Sequence, residues 1–195
     1  MKRLLLVGAM LLLVCSICAQ ETPRFGLTGG LLNSNVDFDF TLGNISATNN
    51  TGFYIGGILD VPISEKLHFQ PELTYGSAGD LGFIFLPAML KFYAAESFHL
   101  QAGPQFSFST TLNDIKNDVT GAVELIDDDF ADTIESILRN FGVDIGFGAG
   151  YDINENFTIQ ARYSIELTNR YNGPGSGLLT LRAQQINVGV AYFFD

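Results

Sequence analysis

Phe157-Thr158-Ile159-Gln160-Ala161-Arg162-Tyr163-Ser164-Ile165-Glu166-Leu167-Thr168 alternates apolar and polar side chains without a break. Successive residues of an extended strand point to opposite faces. One face therefore collects Phe157, Ile159, Ala161, Tyr163, Ile165 and Leu167, and the other Thr158, Gln160, Arg162, Ser164, Glu166 and Thr168. A charged face and an aromatic face on one strand call for two different solvents.

Seven further segments read the same way. Upstream of the quoted strand lie Arg24–Leu32, Thr51–Ile63, a third strand from Leu67 past Tyr75, Leu81–Tyr93, a fifth from Phe98 past Phe108, and Phe141–Ile153. The eighth runs through Ile186, Val188, Val190, Tyr192 and Phe194 to the end at Asp195. Leu81–Tyr93 is apolar on both faces, and only Lys91 marks an inward side. The connections alternate in length: tight turns at Ser64-Glu65-Lys66, Ala94–Ser97 and Asn154-Glu155-Asn156, against longer links Asn33–Asn50, Thr111–Asn140 and Tyr171–Leu178. The link at Ala78–Asp80 is short and departs mildly from this pattern. Short turns at one rim and long loops at the other are the outer-membrane barrel pattern. The expected fold is all-β: an eight-stranded antiparallel up-and-down transmembrane β-barrel, its long loops outside the cell and its even-numbered turns facing the periplasm.

A soluble ligand-binding barrel would also alternate, with its apolar face inside. Two features favour apolar-out. Gly56, Gly103, Gly142, Gly146, Gly148, Gly150 and Gly189 gather on the polar face, where a narrow interior needs small residues and an exposed surface would only be weakened by them. Aromatics such as Phe53, Phe98, Phe108, Phe141, Tyr151, Phe157 and Tyr192 stand near the ends of the apolar faces, as interfacial girdles do. Against this, Pro71, Pro87 and Pro104 fall within strands of a barrel that has no free edge. They are expected at bulges or rims.

The N-terminus follows export grammar: Lys2 and Arg3, an apolar run Leu4–Val14 too short to span a bilayer, then Ile17-Cys18-Ala19-Gln20. Cleavage after Ala19 or Gln20 is expected, leaving residues 1–19 as a secretory signal peptide and 20–195 as one barrel domain. Processing as a lipoprotein is disfavoured by Val14 and Ile17 ahead of Cys15 and Cys18. Cleavage removes both cysteines, so no disulfide is needed. It also removes two positive charges from a chain whose formal net charge is already −11. That balance argues against nucleic acid, which rewards basic patches.

The chain resembles the PorT-like outer-membrane β-barrel family over nearly all of its mature length. The matching stretches are Phe25–Leu31, Gly52–Gly57, Leu67–Tyr75, Leu86–Lys91, Ala102–Gln105, Gly146–Tyr151, Ala161–Ser164 and the aromatic end. The three strand prolines fall within or beside them. The resemblance implies an outer-membrane barrel in contact with lipid and inserted by the barrel-assembly machinery, which reads a C-terminal aromatic. This chain places Asp195 after Phe194 and so displaces that signal by one residue.

Chemistry is mostly absent from the pattern. No G-x-S-x-G, H-E-x-x-H, phosphate loop or dinucleotide fingerprint occurs on a strand–helix junction. The expectation is therefore no enzyme, no cofactor and no metal centre. His68 and His99 read as lumen hydrogen-bonders, and Glu72, Lys91, Arg162 and Glu166 as inward charges that must be paired in a structural plug. Arg162 is expected to meet Glu72 or Glu166. In the insert Asn113–Leu138, Asp127, Asp128, Asp129 and Asp132 form an acidic surface suited to a basic or cationic partner. Phe130, Ile134 and Ile137 follow at helical spacing, so a short helix capped by the aspartates is expected in this third extracellular loop, in preference to a Ca²⁺ site without EF-hand spacing. The function these features favour is a non-enzymatic structural or surface-interaction barrel. The alternatives are a barrel passing ions or small solutes, or an accessory component of a protein secretion system.

Overall fold

The computed structural model describes residues 22–40, 43–111, 140–170 and 179–194. They form β1 (Arg24–Phe40), β2 (Gly43–Ser64), β3 (Leu67–Ala78), β4 (Leu81–Tyr93), β5 (Phe98–Ser109), β6 (Phe141–Asp152), β7 (Phe157–Glu166) and β8 (Leu179–Phe193). Each strand pairs antiparallel with its neighbours in chain order, and β1 closes on β8 from Gly26↔Phe193 to Phe40↔Leu179. Closure leaves no lateral edge in the barrel wall. That is the condition for a sheet to cross lipid, where no water serves open backbone groups.

The quoted strand sets the sidedness. Thr158, Gln160, Arg162, Ser164 and Glu166 are buried, while Phe157, Ile159, Tyr163 and Ile165 are exposed. The same inversion runs round the barrel, to the extent that Leu31 is 63 % and Phe25 56 % exposed while Lys91 is fully enclosed. β4, apolar on both faces in sequence, turns Phe83, Phe85, Met89 and Lys91 inward. Phe83 and Phe85 pack with Leu32, Tyr54 and Ala78 into an apolar cluster inside the lumen. The interior is narrow: a Cβ on Gly146 would stand 2.7 Å from the Cε of Met89, and one on Gly189 2.6 Å from the Tyr54 hydroxyl.

Two features differ from the sequence reading. Asn33–Asn50 is expected to be a loop, but its described residues continue the ladder from Asn33↔Thr51 to Phe40↔Gly43, with a bulge between Val36 and Asp37. β8 accompanies β1 over the same stretch. The Asn, Ser and Asp content reads as loop chemistry, yet Val36, Phe38 and Phe40 keep the alternation of a strand. At 17 and 22 residues, β1 and β2 outrun the 9–11 residues that a bilayer needs. At the other short link, Gly79 adopts φ +60° and so lets Gly79-Asp80 join β3 to β4 directly.

The second difference concerns Pro71, Pro87 and Pro104, which mark neither bulges nor rims. Pairing lapses between Leu59-Asp60 and Gln70-Pro71, between Glu72-Leu73 and Leu86-Pro87, and between Ala88-Met89 and Gly103-Pro104. Beyond each lapse it resumes in the same register. Each proline keeps its partner on the following strand, as Pro71↔Ala88, Pro87↔Gln105 and Pro104↔Ile145. A ring nitrogen without a hydrogen cannot bond the preceding strand, so the loss is local to one side. A further proline, Pro62 of β2, lies beside a register shift between Pro62 and Ser64. The expected third-loop helix, with Asp127, Asp128, Asp129 and Asp132, lies outside the described residues, as does the link 171–178.

Candidate functional site

Alternation turns every second residue inward, most of them polar outside β4, and stagger between strands decides which of the polar ones meet. They meet in three layers.

The middle layer is built on Arg162 of β7. Its guanidinium donates from both terminal nitrogens to the two oxygens of Glu72 on β3, one of these bonds being 3.2 Å long. A longer bond of 3.4 Å reaches Gln101 on β5. Gln70 donates to Glu72 at 2.7 Å, and Gln160 carries the chain of bonds on to Thr28 of β1 at 3.2 Å. A forked cation on a forked anion pairs the two charges through two parallel bonds, and the Arg162 Nε is left without a partner among the described residues. Such pairing is what a dry interior demands, because an unpaired buried ion is costly.

Towards the long-loop end, Glu166 accepts from Arg170 at 2.7 Å, from Thr168 at 3.1 Å and from the backbone N–H of Ala183 at 2.9 Å. Arg170 also donates to Ser107 at 2.7 Å. Beside them Gln105 bridges Asp144 and Gln185, at 3.0 Å to each.

The layer at the short-turn end draws a side chain from every strand: Arg24, Asp60, His68, Lys91 with Tyr93, His99, Asp152, Thr158 and Phe193. Asp60 is its hub. It meets Arg24 at 2.9 Å, the Nδ1 of His68 at 3.1 Å and the Lys91 ammonium at 3.6 Å. Asp152 accepts from Tyr93 at 2.9 Å and from Thr158 at 2.6 Å. The Tyr93 ring lies between the imidazoles of His68 and His99, with centroids 4.8 Å and 5.2 Å away. Lys91 faces the rings of Tyr93 and Phe193 at 5.2 Å and 5.9 Å. Among the described residues, neither the Lys91 ammonium nor either ring nitrogen of His99 has a hydrogen-bond partner.

The four charges singled out in the sequence thus occupy three layers: Glu72 with Arg162 in the middle, Lys91 at the short-turn end, and Glu166 towards the long loops. Asp60, Asp144, Asp152, Arg24 and Arg170 complete the layers and were not singled out. The three aspartates stand on polar strand faces, so alternation marks them as inward. Arg24 opens β1 and Arg170 lies just past β7, where alternation gives no guidance. Among the described residues no group of three or more His, Cys, Asp or Glu is placed to hold a metal ion.

A family model described as the outer membrane protein beta-barrel domain matches residues 5–194. The chain belongs to that family. Membership places this outer-membrane barrel in the bacterial outer membrane, in agreement with its closed wall and apolar exterior. Among solved structures it is similar to Ail, the attachment invasion locus protein of Yersinia pestis, with 14 % identity and a TM-score of 0.50 over 89 % of this chain and all of that one. Neisserial surface protein A is similar at 13 % identity and a TM-score of 0.48, over 89 % of this chain and all of its own. OprG of Pseudomonas aeruginosa is similar at 12 % identity and 0.43, over 89 % of this chain and 97 % of its own. At such identities the likeness to Ail speaks to the fold alone. No curated protein matches the sequence.

Proposed function

We propose that this barrel is a non-enzymatic membrane scaffold with a closed lumen, whose role is structural or lies in surface interaction. The observation that carries the reading is the stacking of three buried polar layers, the middle one fixed by the Arg162–Glu72 fork. A pore through them would have to break paired ions in a space that eight strands leave barely wide enough for side chains. The short-turn end faces the periplasm and the long loops face outward, by the general build of such barrels. The exterior faces lipid, and insertion uses the barrel-assembly machinery. Recognition falls to the outer loops, where Asp127, Asp128, Asp129 and Asp132 suit a basic or cationic partner. PorT-like kinship belongs to the same proposal and rests on the stretches quoted above; an accessory place in protein secretion is an alternative to it and is not carried over from the family.

Conductance of the purified, folded protein in planar bilayers at neutral pH is the test. The expected result is a flat baseline. A steady conductance that changes when Glu72 or Arg162 is replaced would overturn the closed lumen in favour of ion or solute passage.

A further inference from the structure

At the long-loop end the strands do not stop at one height. β2 and β3 pair no further than Gly52↔Ala78, and β7 and β8 no further than Ile165↔Gln184. β1 runs on between its two neighbours, paired with β2 as far as Phe40↔Gly43 and with β8 as far as Phe40↔Leu179. A three-stranded sheet therefore rises beyond the closed wall, and each outer strand has one side without a strand partner among the described residues. Asn33 braces its root, donating to Asn49 at 2.8 Å and to Thr51 at 2.9 Å. The two free sides are guarded differently. On β8 the Glu166 carboxylate takes the Ala183 N–H at 2.9 Å, and the exposed Arg182 brings a charge to the edge. On β2 the β3–β4 turn reaches only to Asn50, whose side-chain nitrogen lies 2.7 Å from where a Cβ on Gly79 would stand. Beyond it, Gly43-Asn44-Ile45-Ser46-Ala47-Thr48-Asn49 holds no charge and no proline. Charges, prolines and bulges are what keep a free edge from pairing. Here only a bulge at Ala47 is present, and Gly43–Ser46 pair regularly with β1.

We propose that the free side of β2 from Gly43 to Asn49 is a docking edge, which takes an extended basic segment of a partner protein as an added strand. A row of backbone N–H and C=O groups is matched by another extended backbone lying about 4.8 Å away. The lane is the one that β3 leaves at Ala78. A strand continuing the direction of β3 pairs antiparallel with β2, as every pair in the barrel does. Charge selects among such segments. The edge has none of its own, the strand behind it carries Asp37 and Asp39, and the chain has a formal net charge of −11. A segment bearing lysine or arginine is drawn in, and an acidic one is repelled. The inference deepens the surface-interaction reading, adding a backbone edge to the acidic loop, and rests on the long-loop end facing outward.

The test is amide hydrogen exchange, read by NMR on the full chain folded in detergent micelles. The probes are three synthetic peptides of about ten residues: alternating lysine and threonine, the same peptide N-methylated at every residue, and alternating glutamate and threonine. Every second amide of Gly43–Asn49 faces the free side. These amides are expected to exchange freely in the protein alone, to slow by about tenfold or more with the basic peptide, and to ignore the other two. Of Asn44→Pro and Ile45→Pro, one removes only a free-side N–H; that variant is expected to fold as wild type does and to lose the response. No slowing with the basic peptide, or equal slowing with its N-methylated form, overturns the docking edge. Protection of every amide without peptide would mean that the chain fills its own lane, and protection that grows with protein concentration alone would make a second copy the occupant; either overturns the basic partner. Orientation is read separately, by labelling Asn44→Cys on intact cells with a membrane-impermeant maleimide. Absence of label overturns the outward placement of the long loops, whereas the micelle result alone decides the edge.

Discussion

The middle and short-turn layers hold the same kinds of side chain and satisfy them differently. In the middle, one arginine and one glutamate bond through two parallel contacts, with Gln70 donating to the glutamate and Gln101 accepting from the arginine, while the Arg162 Nε and the Gln101 Nε2 find no partner among the described residues. At the short-turn end one aspartate is shared among three basic groups, and the third, Lys91, stands at 3.6 Å. The first arrangement has one solution; the second has slack. The comparison separates a layer fixed by one directed ion pair from a layer in which one carboxylate is divided among three partners.

The largest effect is expected where the fit is tightest. Arg162→Ala removes the fork and leaves Glu72 as an enclosed charge without its counterion, which costs roughly 3–5 kcal/mol. The measurement is urea unfolding in lipid vesicles. A change under about 1 kcal/mol would mean that the middle layer is hydrated. Asp60→Asn comes next, at about 2–3 kcal/mol, because it strands Lys91 while Arg24 is open enough for water to take over its charge. Lys91→Met is expected to stay within about 1 kcal/mol of wild type, since Asp60 keeps Arg24 and His68 and the methionine fills similar space. A loss as large as that of Arg162→Ala would erase the distinction between the layers.

How much of this was legible in advance follows from what alternation encodes. Period 2 fixes which face a residue occupies, and so it identified the strands, the apolar exterior and the inward side of Glu72, Arg162 and Glu166. It carries no height. Partner choice depends on stagger between strands distant in sequence, which is why Lys91 could be read as inward while its neighbour Asp60 on β2 was not matched to it. β4 defeats alternation because Phe83 and Phe85 face an apolar cluster within the lumen itself. The rise of β1 and β2 was hidden for another reason: Asn, Ser and Asp are the residues of turns and loops, and their abundance in Asn33–Asn50 outweighs the alternation of Val36, Phe38 and Phe40.

The proline lapses carry a consequence for the chain before it reaches the membrane. An exported barrel strand crosses an aqueous compartment with an apolar face and an unpaired edge, which is the profile of a segment that templates its own kind. Pro71, Pro87 and Pro104 interrupt three successive strands, each withholding one donor at mid-length. In the closed barrel the register bridges each interruption, so the fold tolerates it. In a stack of identical strands the same gap would recur at every rung, and the stack would have no neighbouring register to bridge it. The residues that look least suited to a sheet are thus the ones that disfavour stacking of β3, β4 or β5 on copies of itself.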